Sequence, residues 1–314
     1  MIHCVNLNAT LDQLFVLPSV QWGGVNRAVA TLSYPGGKGN NAARTVAKLK
    51  GKARLHAFSG AGERAASARF FREQGVDARL TPVPGASRPC LVILDGERNQ
   101  ETVINSPSEL KVGPAALGKL LEGLLRALKP GDIVTLSGSL PEGLKPDSYR
   151  TMIRAIQARG GVAMLDSYGP GLLHGVEAAP LLVKPNADEL GATFGLPVRT
   201  REDVLEAARR LLRKGVRCVV VTLGERGALA LTPRETLFAS PLPTPRGLLS
   251  PVGCGDAFFG GLALGLERSL PLPDCLKLAT AAAWANLSHP GAVFFDAKLV
   301  RAQMPLVKVS RLAA

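Results

Sequence analysis

A chain of 314 residues, 46% hydrophobic but only 5% aromatic, points to one large domain or two small ones with a core of Ala, Leu and Val rather than rings. The net charge of +13 comes from 38 basic against 25 acidic residues scattered without a long run, which favours a solvated basic surface or attraction of small polyanions over a nucleic-acid interface. Five scattered cysteines without a CxxC pair argue against a disulfide framework and a zinc site.

The N-terminus lacks a basic region followed by an apolar run, so no signal peptide is expected. Residues 278–295, the longest uncharged stretch, contain Asn286, His289, Pro290 and Gly291, a poor pattern for a membrane span. The expected location is the cytoplasm, with neither membrane nor nucleic acid as partner.

Short apolar runs with β-branched content at 2–7, 54–59, 133–137, 162–166, 180–184 and 218–222 suit a parallel sheet buried on both faces. Helical patterns at 41–50, 65–74, 115–128, 147–159 and 202–214 lie between them, and 256–268 and 273–288 read as two long helices. This alternation predicts an α/β doubly wound, mostly parallel fold. Residues 12–34 and 88–105 break the pattern as β segments without helices, and are expected to form a small sheet beside the main one. The chain reads as a single domain, 1–314.

Six motifs compete for function. In Pro35-Gly36-Gly37-Lys38-Gly39-Asn40-Asn41, the glycines permit close approach to a ligand and the following helix aims its amides at it; a simple helix-capping turn is the bland alternative. Gly60-Ala61-Gly62-Glu63-Arg64 imitates a dinucleotide fingerprint but lies outside the first βαβ unit. Residues 113–120 imitate a phosphate-binding P-loop, but Leu120 replaces the required Ser or Thr. In Lys184-Pro185-Asn186-Ala187-Asp188-Glu189, Asn186 and Glu189 fit a capping box or, alternatively, a magnesium and phosphate site. Residues 221–228 read as strand, turn, strand, either a plain hairpin or the wall of a nucleotide site. In Gly253-Cys254-Gly255-Asp256, backbone amides form an anion hole and the carboxylate can take a proton from a hydroxyl nucleophile; an ordinary helix-dipole Asp is the alternative. His3, His56, His174 and His289 show no metal or triad spacing.

Taken together and in this order, the motifs resemble the PfkB (ribokinase-like) carbohydrate kinase family, over essentially the whole chain. Asn8-Ala9-Thr10-Leu11-Asp12, Val25-Asn26-Arg27-Ala28, Glu101-Thr102-Val103-Ile104-Asn105 and Leu136-Ser137-Gly138-Ser139-Leu140-Pro141 are similar to segments of its 1-phosphofructokinase and tagatose-6-phosphate kinase subgroup. Three departures stand out: Ser250-Pro251 where the family has Asp-Thr or Asn-Thr, Cys254 where Ala is common, and Asn8-Ala9 without the usual proline.

The resemblance implies a Rossmann-like domain with a small β lid, lids pairing into a homodimer, and ATP with Mg2+ acting on a sugar phosphate. An unphosphorylated sugar or a nucleoside is the alternative substrate, and an NAD-linked oxidoreductase the distant one. Asp12, Gly37, Lys38 and Asn41 would hold sugar hydroxyls. Arg27, Lys38, Arg88 and Ser139 would hold the substrate's own phosphate, with Arg27 and Arg88 in lid strands. Asp256 would be the base, with the amides of Gly253, Cys254 and Gly255 beside it. Lys184, Asn186, Thr222, Gly224, Gly227 and Asn286 would face ATP, Asn286 near the adenine. Asn186 and Glu189 would approach the metal through water.

Overall fold

A computed structural model describes residues 1–247 and 249–312. The chain opens with β1 (Ile2–Asn6), then leaves for β2 (Thr10–Leu17) and β3 (Ala30–Gly36). Helix α1 (Lys38–Lys48) returns it to β4 (Ala53–Gly60), α2 (Arg64–Glu73) and β5 (Asp77–Val83). Next come β6 (Arg88–Asp95), β7 (Gln100–Asn105), α3 (Pro114–Ala127), β8 (Ile133–Ser137), α4 (Ser148–Ala158), β9 (Val162–Asp166) and α5 (Gly169–Gly175). They are followed by β10 (Leu182–Val183), α6 (Ala187–Phe194), α7 (Arg201–Arg213), β11 (Cys218–Thr222), β12 (Ala228–Leu231) and β13 (Thr236–Ala239). The chain ends with α8 (Cys254–Glu267), α9 (Leu272–Leu287), α10 (Ala297–Gln303) and β14 (Val309–Leu312).

The large sheet has the order β14-β13-β12-β11-β10-β9-β8-β1-β4-β5. Strands from β11 to β5 pair in parallel; β12, β13 and β14 add antiparallel pairs at one edge. The central strand β1 is buried throughout, and its alternation divides two cores. Ile2 and Cys4 join α1, α8 and α9 on one face, whereas Val5 joins α3, α4 and α7 on the other. The chain moves from β1 towards β4 and β5, and later from β8 away towards β11. The order therefore reverses between β1 and β8, the place where such sheets open a crevice at their carboxyl ends.

The small sheet, β3-β2-β6-β7, is mixed: β2 runs parallel to β6 and antiparallel to β3. Register puts Asp12 opposite Cys90, Leu14 opposite Val92 and Glu101 opposite Leu94, so these side chains share one face.

Strand β5 was not legible in the sequence, because its edge position leaves Asp77, Ala78, Arg79 and Leu80 exposed or half-buried and erases the apolar run. The expected strand 180–184 shrinks to Leu182–Val183. Helix α8 packs tightly on α1, since a Cβ at Gly260 would lie 2.8 Å from Thr45 Cβ and 2.9 Å from the Ala42 carbonyl. That approach brings the two helix N-termini together over the crevice. Among the described residues, no helix is long and apolar enough to cross a membrane.

Candidate active site

Helix α8 starts at Gly253, whose φ of 80° is left-handed, and its first turn carries Asp256. Asn41 Nδ2, from the first turn of α1, donates to Asp256 Oδ2 at 2.9 Å. Burial raises the Asp256 carboxyl to about 6, helped by the charge of Asp166 and opposed by Lys38, Asn41 and Lys184. A carboxyl so tuned can accept a proton near neutral pH. The Cys254 amide is spent on the Pro251 carbonyl at 3.1 Å. The amides of Gly255 and Asp256 remain to face an anion at the positive end of the helix.

Beside Asp256 lies a chain of charges. Lys38 Nζ is 2.8 Å from Glu189 Oε1 and 3.5 Å from Asp166 Oδ1, and Lys184 Nζ is 3.2 Å from Asp166 Oδ2. Burial works against the Lys38 ammonium, but Asp166, Glu189 and Asp256 outweigh it and hold its pKa above the usual value. Each member comes from a different carboxyl end or helix start: α1, β9, the exit of β10, and α6.

Polar groups without partners mark the crevice floor. Asn6, ending β1, is 1% exposed, yet neither side-chain amide atom is paired, and Ser137 Oγ and Asn41 Oδ1 are likewise buried and alone. Buried orphans of this kind are rare in folded proteins and are what a hydroxylated ligand satisfies. Gly37, with φ of 108°, lets the turn bend over Asn6. Above, Asp12 lies against Gly36 and accepts from Thr10 Oγ1 at 2.6 Å. Burial raises its pKa, while Thr10, Arg44 and Arg88 pull it back.

Residues 8–298 match the pfkB family carbohydrate kinase model. The chain belongs to the pfkB family of carbohydrate kinases. It is 35% identical to the 1-phosphofructokinase of Rhodobacter capsulatus, covering 92% of this chain and 91% of that one. It is 31% identical to the 1-phosphofructokinase of Bacillus subtilis, over 99% and 100%. Its fold matches phosphofructokinase-2 from Escherichia coli with a TM-score of 0.88 at 26% identity, covering 97% of this chain and 98% of that one.

In this kinase the sequence-selected residues fall into two groups. Asp12, Gly37, Lys38, Asn41, Lys184, Glu189, Gly253, Gly255 and Asp256 surround one crevice. Ser139 joins its rim by accepting from Asn8 Nδ2 at 2.9 Å, and Arg88, half-buried, reaches the Ser106 carbonyl at 3.3 Å. The others stand apart or are already engaged. Arg27 is exposed in the loop between β2 and β3, not in a lid strand, since a turn with Gly23 at a φ of 75° separates the two strands there. Asn186 forms the capping box with Glu189: Glu189 N donates to Asn186 Oδ1 at 2.7 Å and Asn186 N to Glu189 Oε2 at 3.0 Å. Only Glu189 Oε1 is left for the site.

Asn286 is fully buried, donating to Val252 O at 2.8 Å and accepting from Val293 N at 2.7 Å, so it braces the Gly253 turn and presents nothing to an adenine. Thr222, Gly224 and Gly227 form the β11–β12 hairpin; a Cβ at Gly227 would lie 2.3 Å from the Ala239 carbonyl, so its glycine serves packing, whereas Gly224 borders open space. The Gly60 turn lies beyond β4 on the other flank, away from Asp256.

Two residues were missed by sequence reasoning. Asp166 pairs with both lysines, and its signal was a carboxylate ending an apolar strand run. Asn6 had no signal, since one asparagine at a strand end is unremarkable until its partners are counted.

Proposed function

We propose that this kinase transfers the γ-phosphoryl group of ATP to a primary hydroxyl of a sugar that already carries a phosphate, with fructose 1-phosphate the leading substrate and tagatose 6-phosphate the second. The observation that carries this reading is Asp256, buried at the start of α8, its carboxyl raised to about 6 and oriented by Asn41. Asp256 takes the hydroxyl proton, the Gly255 and Asp256 amides face the transferring group, and Lys38 and Lys184 offset its charge. Asn6, Asn41 and Asp12 orient the sugar hydroxyls. The expected 12–34 and 88–105 lid, within one domain spanning 1–314, closes over them.

Three carboxylates, Asp166, Glu189 and Asp256, against the two lysines Lys38 and Lys184 leave the site short of positive charge for a triphosphate. That balance fits a divalent cation, and Asp166 and Glu189 Oε1 are the residues that would hold Mg2+. When bound there, it would supply positive charge to the nucleotide phosphates that the two lysines do not fully offset.

A kinase of unphosphorylated sugars is the second reading, favoured by the exposure of Arg27 in the loop between β2 and β3 and by Lys38 already being paired. Comparing kcat/KM for fructose 1-phosphate, tagatose 6-phosphate, fructose 6-phosphate, fructose and ribose decides between them. Preference for free sugars overturns the sugar-phosphate reading and leaves the kinase assignment intact.

The same reading includes a homodimer through the small sheet, in the cytoplasm. On the face opposite Leu14 and Val92, Phe15, Leu91 and Ile93 are only half-buried and Ile104 is 47% exposed, and the adjoining loop carries Trp22 at 80%. An apolar face on a four-stranded sheet with free edges is relieved by pairing with a second copy. Light scattering at micromolar concentration tests this, and a monomer refutes it.

A further inference from the structure

We propose that Glu101 is a positioning residue that locks the small sheet to the turn preceding Asp256, so that the place of the sheet sets the geometry of the phosphoryl-binding amides. The inference deepens the kinase reading and rests on it. Glu101 lies on β7, yet its carboxylate takes no partner within the small sheet. Instead, Glu101 Oε2 accepts from Ser250 Oγ at 2.7 Å and Oε1 accepts from the Val252 amide at 3.1 Å. Two residues before Glu101, Asn99 Oδ1 accepts from the Leu249 amide at 2.9 Å. The carboxylate is thereby held against residues immediately before Gly253.

A second, apolar contact acts at the same place. The inner face of the small sheet buries Leu14, Cys90, Val92 and Leu94, and Val252 packs against that cluster from the main body. Glu101 faces the same way, because it pairs with Leu94 across β6 and β7. The segment so gripped is itself rigidly tied to the first turn of α8. Ser250 is fully buried and its amide donates to the Leu287 carbonyl, the Cys254 amide donates to Pro251 O, and Asn286 Nδ2 donates to Val252 O. A shift of β7 is therefore passed to the Gly255 and Asp256 amides rather than absorbed by a slack loop. Burial pushes the Glu101 carboxyl up, while the bonds from Ser250 and Val252 pull it back. Ser250 supplies the hydroxyl this latch needs, which gives the departure at Ser250-Pro251 a role.

The test separates coupling from simple stabilisation and from substrate contact. Glu101→Ala is expected to lower kcat about tenfold or more, within the range of ordinary coupling energies, while both KM values change little. Amide hydrogen exchange should quicken at residues 252–256. Ser250→Ala should do the reverse, quickening exchange on β7, since coupling is reciprocal. The double variant should be no worse than the worse single one. Glu101→Gln keeps an acceptor for the Val252 amide and should recover most of kcat.

Unchanged kcat with a lowered Tm overturns the proposal, and so does a rise in sugar KM alone, which would make Glu101 a substrate contact. Exchange that quickens only around each substituted residue overturns it as well. If the wild type turns over no sugar phosphate, the substrate reading fails, and the exchange measurements still decide the coupling.

Discussion

The two ends of β1 bury polar side chains equally well and use them in opposite ways. At the amino end, His3 Nδ1 meets His56 Nε2 at 3.1 Å and His3 Nε2 meets Asp132 Oδ2 at 3.3 Å, while Asp132 also accepts from the Lys129 amide at 2.9 Å. That chain closes on itself and links three neighbouring strands. At the carboxyl end, Asn6 is as buried but leaves both amide atoms unpaired, under the turn that leads into α1, whose Asn41 holds the Asp256 carboxyl that burial raises to about 6. A closed network stabilises the fold; an open one holds free energy that a ligand can recover. The same strand thus separates stability from chemistry by which polar groups it satisfies.

The largest effect expected from breaking this division is on turnover. Asp256→Asn should lower kcat by about 10²–10⁴-fold, the usual cost of losing a general base, with the fold and ATP binding kept. Near-normal turnover in this variant would remove Asp256 from the mechanism. By contrast, His56→Leu at the closed end should leave kcat within about twofold at neutral pH while lowering Tm, because its loss leaves His3 Nδ1 buried without a partner. A large kcat loss there would dissolve the distinction between the ends.

A smaller effect is expected where one residue belongs to both categories. Glu189 gives Oε2 to the capping box and Oε1 to Lys38. Glu189→Gln can keep the cap but loses the charge, so it should raise the magnesium concentration needed for half-maximal rate by about tenfold, as loss of a supporting ligand commonly does, with Tm nearly unchanged. A drop in Tm with unaltered magnesium dependence would reduce Glu189 to a cap.

Much of this was legible in the chain. Parallel strands announced themselves as apolar runs, and the Gly36–Asn41 and Gly253–Asp256 turns could be placed at helix starts from their glycines. The small sheet was legible as the break in strand–helix alternation. What stayed hidden depends on distance in space rather than on residue type. Glu101 and Ser250 are 149 residues apart and read separately as a strand residue and a family departure. Asn286 looked like a ligand residue because it is polar near a motif, but its burial and its bonds to Val252 and Val293 make it a brace. Arg27 was expected in a lid strand, and it lies instead, exposed, in the loop between β2 and β3. For Glu101 and Asn286 the deciding quantity was which partner the fold had already supplied.

The finest test of the comparison is the pH dependence of stability, where the two ends have opposite signs. His56 is lowered to about 3, by burial first and then by the charges of His3 and Arg54, and His3 is lowered too. As pH falls below the ordinary histidine value near 6.5, the unfolded chain takes up protons that these folded histidines refuse, so stability is lost, by at most about 1.4 kcal/mol per pH unit per histidine. Asp256 acts the other way. Its folded carboxyl protonates near 6, whereas an unfolded aspartate waits until about 3.8, so stability is gained as pH falls through that window, again by at most about 1.4 kcal/mol per unit. In the wild type the gain from Asp256 offsets part of the loss from the histidines. Asp256→Asn removes the gain, so its Tm should lie above that of the wild type at pH 7.5 and fall more steeply towards pH 5. His56→Leu removes part of the loss, so its Tm should fall less steeply than the wild type's. At about 2–4 °C per kcal/mol for a chain of this size or a little smaller, the slopes are separable by scanning calorimetry at pH 7.5, 6.5 and 5.5. Parallel slopes for the wild type and Asp256→Asn would mean that burial does not raise this carboxyl, and the open end of β1 would then lose the feature that best distinguishes it from the closed one.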